Sequence, residues 1–237
     1  MSVETIPLAR LALAFVPVAV VVAILWRWRL GAGNALYAIG RMLAQLVLIG
    51  YLLTFIFAAE SPPIVLAVLA VMLGASGWIA LQPLAERSAV LYLRALGSIA
   101  AGGVVTLLLV TQGVLDAEPW FAPRVVIPLA GMIFANSMTA VSLAGERLFA
   151  EIANGKRVET ARRIAFQAAL IPQVNALLAV GLVSLPGMMT GQILSGVSPL
   201  VAVRYQIMVM AMIFGSAGIA AACFLAWQAR IERSEAA

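Results

Sequence analysis

The residues of this chain that could do chemistry fall into two groups. The first is a charged stretch, 145–163, reading GERLFAEIANGKRVETARR, with eight of the chain's twenty-five charged residues (15 basic and 10 acidic). The second is a set of uncharged polar residues inside long apolar runs: Gln45, Asn136, Thr139, Gln173, Asn175, Thr190 and Gln192. Amides and hydroxyls of this kind can hydrogen-bond a neighbouring helix or a passing solute, but they cannot relay protons. No Asp or Glu lies in any apolar run, so the carboxylate relay of a coupled transporter is missing. There is no histidine and one cysteine, Cys223, which rules out an internal disulfide and a Cys/His metal site. Met188 and Met189 are soft ligands suited to Cu(I), whereas Fe²⁺ favours imidazole and carboxylate; methionine pairs in membrane helices more often pack. Gly155-Lys156-Arg157 lacks the upstream glycine and the following Ser/Thr of a phosphate-binding loop. The chain therefore offers no catalytic residue and binds no cofactor of its own. If it moves a solute uphill, the energy comes from another subunit.

The elements that must position these residues are membrane helices. Of the residues 64% are apolar and 11% charged, against about a quarter charged in soluble domains. The apolar runs are continuous and lack the alternation of barrel strands. The fold expected is an all-α integral membrane protein with seven spans at about 11–26, 35–57, 64–81, 90–114, 125–143, 168–194 and 205–227. Counting basic residues places twelve on one side and three on the other when the N-terminus is outside. That orientation puts 145–163 and the tail, 228–237, in the cytoplasm of a bacterial inner-membrane protein. The net charge of +5 is then a topology signal whose partner is membrane lipid, not nucleic acid. No soluble domain or repeat is visible, and residues 1–237 read as one membrane domain.

Within the spans, SIAAGGVV permits close helix approach in the fourth. Met132, Asn136 and Thr139 share one face of the fifth. In the sixth, Pro186 is expected to kink the helix. Gly187, Gly191 and Ser195 form a seam for close packing, and Thr190 and Gln192 satisfy freed backbone groups or meet a solute.

Glu151-Ile152-Ala153, then Gly155, basic residues and Ala168 to Pro172 resemble the cytoplasmic loop of ABC-transporter permeases, which surrounds a short coupling helix. PLAGMIFANSMTAVSL, ALIPQVNALLAVGLVSLPGMMTGQIL and SPLVAVRYQI resemble the FetB-type ABC permease family, as do Arg41, Gln45 and Gly50. The resemblance runs from about residue 31 to 227 and departs from the pattern at Ile152, Asn154 and Lys156. It implies a permease subunit, paired as a homodimer with two copies of a separate ATPase that holds ATP and Mg²⁺. It further implies export of iron or a metal-related solute, with Glu151, Gly155, Lys156, Arg157 and Arg162 coupling to the ATPase. The pathway would draw on the second, fifth and sixth spans. The alternative is a channel or facilitator for a small solute that works without an ATPase.

Overall fold

The computed structural model describes residues 6–58, 61–84 and 87–235. Its described residues are mostly helical, and they fall into two compact units, 1–59 and 60–237. In the first unit, α1 (Leu8–Leu13) and α2 (Val16–Arg27) make up the first expected span. It breaks at Ala14 and Phe15, where Pro17 sits in the first turn of α2 and cannot donate back to a preceding helix. α2 then packs on α3 (Ala32–Ala58).

The second unit is built around two long helices. α4 (Pro62–Ala80) starts on Pro62 and Pro63, which suit the first turn of a helix, and Ser88 caps α5 (Ala89–Leu108) by accepting the Leu91 amide at 3.1 Å. α5 runs on as a π-helical turn, Leu109–Val114, so the fourth expected span matches almost residue for residue. α6 (Pro123–Ala153) packs against α4, α5, α7 (Val158–Ala179) and α9 (Pro199–Glu235). α8 (Gly187–Leu194) lies on α9. The small residues of SIAAGGVV let this bundle close: a β-carbon on Gly102 would stand 2.5 Å from the Ser216 carbonyl oxygen of α9. One on Gly103 would meet the Phe134 ring of α6 at 2.8 Å. At the other end, Gly145 of α6 faces Leu84, just past α4, and Phe224 of α9. The Arg94 guanidinium of α5 donates to Gln228 Oε1 of α9 at 2.7 Å. The ends of α4, α6 and α9 and the starts of α5 and α7 therefore share one end of the unit. Side chains such as Leu66, Val105, Leu109 and Ile207 stay exposed, as a lipid-facing surface requires.

Among the described residues six helical stretches are long and apolar enough to cross a membrane. The sixth expected span, 168–194, is not continuous. α7 stops at Ala179, Gly181 turns the chain with φ +82, and α8 begins after Pro186. Pro186 is accordingly the N-cap of α8 and not a kink within a helix, because a ring nitrogen without a proton is harmless where no helical acceptor precedes it. Among the described residues the seam of Gly187 and Gly191 meets no neighbour, since a β-carbon on either would find nothing within 4 Å. The stretch 145–163 is not a loop around a short coupling helix: α6 continues to Ala153 and α7 starts at Val158. Of the expected tail, α9 continues to Glu235 and the last two residues lie outside those described.

Candidate functional site

Two features of the second unit could do work, one at each end. The first is the α6–α7 hairpin. With 31 residues α6 is about 46 Å long, roughly 16 Å more than a hydrocarbon core. Its end is fixed by backbone geometry: Gly155 has φ +78, its amide donates to Ile152 O at 2.9 Å, and the Lys156 amide donates to Glu151 O at 3.0 Å. This pair of bonds is a Schellman motif, which needs a residue in the left-handed conformation at the position Gly155 fills. The spacing of Glu151 and Gly155 thus has a structural cause, the stopping of α6. Glu151 is buried at 7% exposure and paired with Arg147 one turn earlier. It braces the helix end. Lys156 and Arg157 are exposed at the tip, with Arg157 4.0 Å from Glu159, and Arg162 is half-buried one turn into α7.

The second feature is a cavity of about 490 Å³ at the opposite end. Arg124, Pro128 and Met132 line it from α6, Met188 from α8, and Tyr205 and Met208 from α9. Three methionines from three helices give it a wall of adaptable, polarisable side chains. Sequence reasoning picked out Met188 and placed Met132 on a polar face, but it missed Tyr205 and Met208. No pattern along the chain links them.

The other expected pathway residues of the second unit do not line it. Asn136 donates to the Met132 carbonyl at 2.8 Å and Thr139 to Ala135 O at 3.0 Å, so both bond within α6 instead of reaching a neighbouring helix. Thr190 donates to Pro186 O at 3.1 Å, binding up the start of α8. Asn175 is exposed on α7 and Gln45 is exposed on α3 in the first unit. Met189 is half-buried and does not line the cavity. Three buried oxygens find no hydrogen-bond partner among the described residues: Ser137 Oγ, Gln192 Oε1 and Gln206 Oε1. No group of three His, Cys, Asp or Glu occurs among the described residues that could hold a metal ion.

A family model described as "Uncharacterised protein family (UPF0014)" matches residues 8–231. The chain belongs to this family. A UPF0014 membrane protein of Synechocystis is 38% identical over 196 residues, 76% of each chain. The "Probable iron export permease protein FetB" of Escherichia coli is 34% identical over 92% of this chain and 90% of its own. "Protein ALUMINUM SENSITIVE 3" of Arabidopsis thaliana is 34% identical over 82% of this chain and 76% of its own. No solved structure matches. As a UPF0014 member with six apolar helices of spanning length among its described residues, the chain is a multi-pass membrane protein.

Proposed function

We propose that this chain is the membrane-spanning permease subunit of an ABC transporter, driven by a separate ATPase that docks on the α6–α7 hairpin. The observation that carries this reading is the hairpin itself. α6 runs as one helix from the cavity to the turn that carries Lys156 and Arg157, so a push on that turn is passed along α6 toward Met132. Membership of the family of the FetB permease supports it. The chain performs no reaction of its own, and ATP and Mg²⁺ reside on the ATPase. A pair of permeases in the bacterial inner membrane, with a pair of ATPases on its cytoplasmic face, is the assembly proposed.

The orientation proposed has the N-terminus outside and the hairpin in the cytoplasm, supported by the basic residues at that end. Seven crossings are proposed, the sixth made jointly by α7 and α8. The uncharged part of α7, Ile164 to Ala179, covers about 24 Å and falls short of the ~30 Å core, and α8 supplies the remainder. The cavity at the outer end is the proposed solute site. Its soft, apolar walls and the guanidinium of Arg124 suit a metal carried in an organic complex better than bare Fe²⁺. Export of an iron-related solute follows the name of the Escherichia coli relative.

The test is co-purification of the chain with a candidate ABC ATPase in lipid nanodiscs, with ATP hydrolysis measured with and without Fe²⁺. A complex that forms with the natural chain and is lost in Lys156→Glu with Arg157→Glu is expected. A folded chain that captures no ATPase yet conducts solute would instead establish the facilitator.

A further inference from the structure

A smaller cavity, about 240 Å³, opens between α7 and α9 near the hairpin end. Arg162, Arg163 and Phe166 bound it on α7, and Ala222, Leu225 and Ala226 on α9. Ala222 and Ala226 lie one turn apart, and their short side chains leave the groove open. The two arginines stand directly before the uncharged part of α7, where a helix passes from water into hydrocarbon. Trp227, next to Ala226 and 38% exposed, sits where aromatic side chains mark that boundary. Among the described residues neither Arg162 nor Arg163 takes part in the nearby ion pairs Arg147–Glu151 and Arg157–Glu159.

We infer that this groove binds an anionic phospholipid, with the phosphate on Arg162 and Arg163 and the start of an acyl chain against Phe166, Ala222 and Ala226. Two adjacent guanidiniums offer the forked donors that phosphate oxygens accept. Placed between membrane helices at the headgroup level, they select a negative headgroup over a zwitterionic one. The apolar floor is what a free phosphate would not need, and it commits the site to lipid. The site also gives Arg162 a partner other than the ATPase.

Native mass spectrometry of the full chain in mild detergent tests this, titrating phosphatidylglycerol, phosphatidylcholine of the same acyl chains, and glycerol phosphate. The first-bound phosphatidylglycerol should bind roughly tenfold tighter than phosphatidylcholine. Arg162→Gln with Arg163→Gln should abolish that preference, and Arg157→Gln at the tip should leave it unchanged. Ala222→Phe should weaken phosphatidylglycerol while both charges remain, and this variant decides the matter if the double arginine variant does not fold. The inference is overturned if the double variant keeps the preference, if Arg157→Gln loses it equally, if Ala222→Phe has no effect, or if glycerol phosphate binds as tightly as the lipid.

Discussion

Replacing Gly102 by alanine tests the packing that holds the bundle in register. The new methyl would stand 2.5 Å from the Ser216 carbonyl oxygen and 2.9 Å from the Ala220 nitrogen. Carbon and carbonyl oxygen meet comfortably at roughly 3.3 Å, so α5 and α9 would have to part by about 0.8 Å. The obstacle is backbone and cannot rotate away, and Gly103 leaves equally little room against the buried Phe134 on the α6 side. Overpacking of this sort costs about 1–3 kcal/mol, and alanine's better helix propensity returns up to about 1 kcal/mol. The net expectation is a loss of about 1–2 kcal/mol, on the order of tenfold in the unfolding equilibrium. The assay is thermal or SDS-induced unfolding of the purified chain in detergent, with Gly215→Ala as the reference. Gly215 lies within α9 with nothing within 4 Å of its β-position, so its alanine variant should match or exceed the natural chain. Equal stability of the two variants would refute the close approach of α5 and α9.

Other substitutions probe the remaining contacts. Gln228→Leu removes the acceptor of Arg94 at 2.7 Å and should cost about 1.5–3 kcal/mol in the same assay, while Gln228→Glu should retain most of the stability. Leu148→Ala empties a fully buried position near the end of α6 and should cost about 2–5 kcal/mol, read as a lower unfolding midpoint. Gly155→Val forces a β-branched residue into a left-handed conformation at φ +78 and should cost at least about 1–2 kcal/mol, with Gly155→Asn milder. Equal midpoints for Gly155, Asn and Val would contradict the Schellman ending of α6.

Much of the fold was legible because an apolar run long enough to cross a membrane has one way to satisfy its backbone. The small residues of SIAAGGVV, with Gly102 and Gly103, were a local signal that acts where it stands. What escaped notice was backbone geometry within a uniform composition. The stretch 168–194 stays uncharged and apolar across the turn at Gly181, and hydropathy is blind to a left-handed residue. The charges of 145–163 point to a membrane surface, but charge reports depth and not helix termination. Hence α6 continues through them and buries Glu151. The site was only half legible for a related reason. Met132 and Met188 could be singled out individually, whereas their meeting with Tyr205 and Met208 depends on how three helices pack.

The central claim is that an ATPase engages the tip of the α6–α7 hairpin. The most direct measurement places a photo-crosslinking amino acid at Lys156, or at Leu200, which is 80% exposed near the start of α9 at the cavity end. Each labelled chain is co-expressed with the candidate ATPase and irradiated in native membranes. The account predicts an ATPase adduct from position 156 and none from position 200. An adduct from position 200 alone, or none from either in a chain that still transports, would contradict it.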